Sequence, residues 1–148
     1  MKRLLAAAAL LSTAACSTAM PGAPAITHAP GFVPAPAEEA AILQVIDTYL
    51  IAVGNGDRAL QASVQLPDGG LAISRSRDGA PGAVRRMPAS EFQKPTPDHD
   101  PFVEMYWAPD ILVRGSFAQV WTPYVLHDNG AVVHCGINAF HLVKLEGG

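Results

Sequence analysis

Residues 116–145 read SFAQVWTPYVLHDNGAVVHCGINAFHLVKL, two long runs rich in β-branched and aromatic residues on either side of Asp128-Asn129-Gly130. Asn-Gly between such runs is a strong hairpin signal. The register is open to two readings. A two-residue Asn129-Gly130 turn sets Trp121 opposite Asn138 on one face. A three-residue loop with a glycine bulge sets Val120 opposite Asn138 and sends Trp121 to the other face. Upstream, FVEMYWAP and DILVRG read as further strands approaching a turn at Arg114-Gly115-Ser116. Val103, Met105 and Trp107 alternate to one side there, and Glu104 and Tyr106 to the other.

Towards the N-terminus the period changes. In EEAAILQVIDTYLIAVGNGD, Ile42, Val45, Ile46, Tyr49, Leu50 and Val53 recur at three- and four-residue steps and mark the apolar face of a helix. Glu38 and Glu39 suit its first turn, Gly54 and Gly56 end it, and Asp57 caps a short second helix reaching about Val64. Leu71–Arg75 and Ala83–Met87 read as strands around RDGAPG, followed by a helical turn at PASEF with Pro88 at its first position. Helices first and an antiparallel meander afterwards make an α+β domain over residues 38–148.

The first 37 residues have a different character. Lys2-Arg3 precedes Leu4–Leu11, an apolar run too short to span a bilayer, and small residues follow as far as Cys16. Residues 1–15 are expected to be an export signal. Thr13-Ala14-Ala15-Cys16 resembles a bacterial lipobox, with Thr13 where the pattern usually has Leu; the resemblance implies diacylglyceryl attachment to Cys16. The alternative is ordinary cleavage after Ser17-Thr18-Ala19, which yields a soluble periplasmic protein. Loss of Lys2 and Arg3 takes the formal charge from −3 to −5. Residues 17–37 carry five of the thirteen prolines and no charge, so 16–37 reads as a lipidated cysteine followed by a Pro/Ala-rich tether. An acylated Cys16 leaves Cys135 without an intrachain partner, and a strand cysteine reads as a small core residue. The acidic balance offers no field for a nucleic-acid backbone.

The helix ending in Gly56-Asp57, the terminal hairpins and the VKLEGG ending together resemble the nuclear transport factor 2-like superfamily, which includes SnoaL-like and ketosteroid isomerase-like proteins. The resemblance covers about residues 38–148. It implies a long first helix across a strongly curved antiparallel sheet, a cone with a pocket inside. Members usually continue past the Glu146-Gly147-Gly148 turn into a Trp-led strand, so this sequence is expected to be a fragment or truncated gene that leaves a strand edge exposed. The alternative is a natural ending at a frayed terminus.

The resemblance also implies roles for particular residues. Tyr49, seven before Gly56, matches the tyrosine that ketosteroid isomerase-like proteins aim at an oxyanion. Asn138 matches a late-strand partner, in a context shared with scytalone dehydratase-like relatives. Together they would be two donors converging on a carbonyl or hydroxyl oxygen. The alternative makes Tyr49 a core residue and gives Asn138 to the backbone at a bulge beside Gly136. The family's catalytic Asp falls on Ile73 or Ser74, neither of which takes a proton at neutral pH. Asp47 lies off the apolar helix face, and Glu104 should point away from whichever side Met105 and Trp107 pack on. His134, four before Asn138 and so on the same strand face, is the remaining base.

Trp107 and Trp121 read either as pocket walls for a ring-shaped ligand or as core or dimer face. The spacing of His127, His134 and His141 argues against zinc, and no phosphate-binding glycine motif, Ser-His-Asp set or nucleotide fingerprint calls for a cofactor. Three readings follow: a lipid-anchored pocket binding a small hydrophobic carbonyl compound through Tyr49 and Asn138; an isomerase, dehydratase or cyclase with His134 as base; and a homodimerising interaction domain with a filled pocket.

Overall fold

The computed structural model describes residues 31–76, 80, 82–94 and 100–146. The export signal, Cys16, most of the tether and of the RDGAPG turn, and the final Gly147-Gly148 lie outside the described residues.

The first helix, α1 (Pro36–Asn55), begins two residues before the expected Glu38. Proline tolerates the first helical turn, where its missing N–H would have no partner, so Pro36 belongs to the helix rather than to the tether. Gly56 closes α1 in the left-handed conformation at φ 68°, and its N–H reaches the carbonyls of Ala52 and Val53. Asp57 then caps α2 (Arg58–Val64), its Oδ1 accepting from the Leu60 amide at 2.9 Å. A hairpin of β1 (Gly70–Ser74) and β2 (Val84–Pro88) forms a separate two-stranded sheet, and α3 (Ala89–Phe92) follows.

The remaining strands are β3 (Phe102–Tyr106), β4 (Asp110–Arg114), β5 (Phe117–Asp128) and β6 (Ala131–Val143). They make one antiparallel sheet with β5 at its centre. β6 runs along one side of β5, while β3 and β4 follow each other along the other side. The break between them falls opposite Pro123, which has no N–H to give. There Ala108 turns to φ 45°, the Trp107 amide donates to the Pro123 carbonyl at 3.3 Å, and the buried Thr122 hydroxyl donates to the Trp107 carbonyl at 2.9 Å. A side-chain hydroxyl thus replaces the missing ladder bond, and the edge can change direction without stranding a buried carbonyl.

Neither simple register holds along the whole hairpin. The turn is the two-residue Asn129-Gly130, with Asp128 opposite Ala131. One extra residue, Val133, then shifts the pairing, so that Leu126 faces His134 and Thr122 faces Asn138. The bulge therefore sits at Val133, not beside Gly136.

The inner face of this sheet is the one covered by α1. Ile46 of α1 packs into a core of Ile111, Val113, Ala118 and Val120, flanked by Ile42, Leu43, Leu50, Tyr106, Phe140 and Leu142. Ile46 and Val120 are almost fully buried. The opposite residues of β5 and β6 point outward. Trp121, Ile137, Met105 and Val103 are each about half exposed on that outer face. Cys135, expected in the core, is exposed; alternation with inward His134 and Gly136 turns it outward. Among the described residues no helix is long and apolar enough to cross a membrane.

The stretch before the helix is tied down at one point. The Phe32 carbonyl accepts from the Val113 amide at 2.8 Å, and the Arg114 guanidinium lies 5.4 Å from the Phe32 ring centre.

Gly54 lets α1 approach β3, since a Cβ there would collide with the Phe102 carbonyl. Helix propensity alone predicts that Gly54→Ala stabilises by about 1 kcal/mol. Steric overlap with backbone predicts the reverse, a loss of about 1–3 kcal/mol. The second effect is expected to win, and a urea melt of Gly54→Ala decides its sign.

Candidate functional site

Above the aliphatic core the same inner face becomes polar. Inward positions of β5 continue from Thr122 to Tyr124 and Leu126, and their partners are Asn138, Gly136 and His134 on β6 and Tyr106 and Glu104 on β3. Tyr49 reaches the same region from α1, its ring packed edge-on against Phe140 with centres 6.3 Å apart.

Glu104 is the residue that sequence reasoning set aside. Alternation places it opposite Met105, as expected. Met105 faces outward, half exposed, so the carboxylate faces in. It accepts a hydrogen bond of 2.6 Å from the Asn138 side-chain amide. Neighbouring strands lie about 4.8 Å apart, so β3 and β6 are separated by about twice that across β5. Two side chains bridge such a gap only when both lean over the same face. This bond also replaces the alternative in which Asn138 serves the backbone.

The other polar groups pair as follows. The Tyr124 hydroxyl lies 3.3 Å from His134 Nδ1, with the two rings T-shaped at 5.7 Å. Gly136 leaves room for this arrangement: a Cβ there would come within 3.1 Å of the Tyr124 ring. The Tyr106 hydroxyl donates to Asp47 Oδ1 at 2.7 Å, which ties β3 to the exposed side of α1. Tyr49 has a ring contact but no hydrogen bond from its hydroxyl among the described residues.

Burial sets the protonation of this cluster. It pushes the Tyr49 phenol up to about 12, with the Glu104 charge acting in the same direction and Arg58 opposing. Glu104 is raised by burial against the opposing bond from Asn138. Tyr124 is raised by burial and then by Glu104, whereas Arg75 opposes. His134 is lowered, by burial first and Arg75 second, which favours the neutral ring. The face thus offers neutral phenols as donors, a carboxylate whose charged form is disfavoured, and a neutral imidazole.

Tyr49, His134 and Asn138 therefore share one face, together with Glu104 and Tyr124, which were not selected from the sequence. Trp121 does not join them. It stands on the outer face, lining a groove of about 270 Å³ with Asp110, Leu112 and Gln119. Trp107 is half-buried at the break between β3 and β4. A second groove, about 420 Å³, runs along the β1–β2 hairpin, so neither groove contains the polar cluster. Among the described residues no three His, Cys, Asp or Glu side chains gather around a metal position. His127 and His141 stand apart from His134; His127 Nδ1 is buried without a partner, and His141 packs against Phe117.

No family model matches the chain, and no curated protein matches its sequence.

Two pH effects follow. Glu104 is more easily protonated in the fold than in the open chain, so its contribution is full below the ordinary carboxylate value and is lost as pH rises through its raised value. Glu104→Gln, which keeps an acceptor for Asn138 without the charge, should raise the melting temperature at pH 7 by a few degrees, with the gain shrinking towards acid pH. Tyr49 behaves alike at the alkaline end. The unfolded phenol ionises first, so stability should fall as pH rises from 10 towards about 12. Tyr49→Phe should flatten that limb of a pH–denaturation profile.

Proposed function

We propose that the inner face of the large sheet binds a small, largely apolar molecule with an oxygen function, and that the chain is exported and lipid-anchored at Cys16. The observation that carries the binding reading is the half-buried Tyr49 hydroxyl, which has no hydrogen-bond partner among the described residues and shares a face with the Asn138–Glu104 pair. A phenol facing into a fold ordinarily has a hydrogen-bond partner, and a ligand oxygen suits this one. The reading includes the cone of the nuclear transport factor 2-like superfamily, which the α1-on-sheet order supports. Tyr49, Glu104, Tyr124, His134 and Asn138 are each half-buried.

A second reading is a cofactor-independent isomerase, dehydratase or cyclase acting on an enolisable carbonyl compound. Glu104 favours it, because the inner face then carries a carboxylate as well as His134 to take a proton.

Thermal-shift titration with a bicyclic ketone such as 1-tetralone tests the binding reading. Stabilisation is expected, with affinity about three- to tenfold weaker in Tyr49→Phe, the loss of one hydrogen bond. No stabilisation by the ketone, together with no effect of the substitution, removes the reading.

Anchoring has its own test. One sulfur cannot carry both a lipid thioether and a disulfide to Cys135, and these are the only two cysteines of the chain. Detergent-phase partitioning should follow the wild type and be lost in Cys16→Ser. A mass spectrum showing Cys16 oxidised onto Cys135 instead would end the lipoprotein proposal.

A further inference from the structure

The hydrogen bonds already engaged on the inner face indicate what remains for a ligand. Asn138 gives its amide to Glu104 Oε1, His134 Nδ1 meets Tyr124, and Tyr106 donates to Asp47. Asn138, expected as a second donor to a ligand oxygen, is therefore engaged in orienting the carboxylate. Two capacities stay open among the described residues: the Tyr49 hydroxyl, a donor, and the second oxygen of Glu104, an acceptor. Both face one region: Tyr49 packs on Phe140, which lies two residues from Asn138 on the inner face of β6, and Asn138 holds Glu104.

A ligand with only a carbonyl would satisfy the donor and leave the carboxylate oxygen desolvated without a partner, which is unfavourable. A ligand with an O–H beside an oxygen acceptor satisfies both at once. We propose that the inner face selects a hydroxy-carbonyl or vicinal dihydroxy compound, its O–H donating to Glu104 and its neighbouring oxygen accepting from Tyr49. Ring faces of Tyr124 and Phe140 on the same side suit a compact unsaturated body. This assignment rests on the binding reading above and narrows the ligand class from carbonyl compounds in general to those carrying a donor.

Catechol, guaiacol and veratrole separate the possibilities, since they differ only in methylation of one or both hydroxyls. Binding is read by amide and side-chain NMR shifts on the full chain carrying Cys16→Ser, which cannot be acylated. Catechol should shift the Tyr49 and Glu104 signals and bind at least about tenfold tighter than veratrole, as hydrogen bonds to a charged acceptor do. Glu104→Ala should abolish that preference. Glu104→Gln, which keeps a neutral acceptor and the bond from Asn138, should retain part of it and also report on folding. Equal binding of the three compounds, or a preference that survives Glu104→Ala, overturns the donor requirement and leaves the binding site standing. Absence of any shift on the inner face with all three compounds overturns the site together with the ligand class.

Discussion

One inserted residue governs what the sheet presents to its helix. β5 and β6 pair over twelve positions, and Val133 adds a single step between the turn and His134. A one-residue slip exchanges the two faces of a strand. With Val133 in place, His134, Gly136, Asn138, Phe140 and Leu142 all lie on the side of Val120 and α1. Were Val133 paired with Leu126 in a regular ladder instead of bulged, Cys135, Ile137 and Ala139 would take that side, and the asparagine and the histidine would face away from the helix. The Asn129-Gly130 turn sets where pairing begins, and the bulge decides what the pairing delivers.

The inner face is then divided along its length. Aliphatic packing of Ile46 against Val120 and Ile111 secures α1 at one end. At the other end, phenols, a carboxylate, an amide and an imidazole occupy positions that further aliphatic side chains could have filled. Polar groups there are costly to desolvate, and the raised phenols of Tyr49 and Tyr124, the raised Glu104 and the lowered His134 all show that cost in the same direction, away from the charged form. Groups perturbed together on one face, with two hydrogen-bonding capacities unmet, are what a binding or proton-transfer site requires. A purely structural network would be expected to close on itself, as the buried Gln61 does with Arg58 and Gln65.

The outer face poses a separate problem. Trp121, Met105, Val103 and Ile137 are exposed together there. Its apolar character is separate from the ligand chemistry, because side-chain alternation keeps the two faces of each strand independent. Trp121 therefore has no part in the inner site, although it lies one residue from Thr122, whose partner is Asn138.

The sequence by itself determined the local elements: the apolar period of α1, its glycine end, the Asp57 cap, the two-residue hairpin turn, and the order of helices before strands. These depend on neighbours a few residues apart, so propensity and capping suffice to read them. It also showed that Glu104 and Met105 oppose one another, but alternation says nothing about which of them faces in. Only the tertiary structure decided that, because the choice depends on which side of β3 lies beneath α1. The same holds for Glu104 and Asn138, thirty-four residues apart, whose meeting depends on a bulge, on the break at Pro123 and on two strands leaning over a third. Such a contact is a property of the assembled sheet, and no local pattern in either strand encodes it.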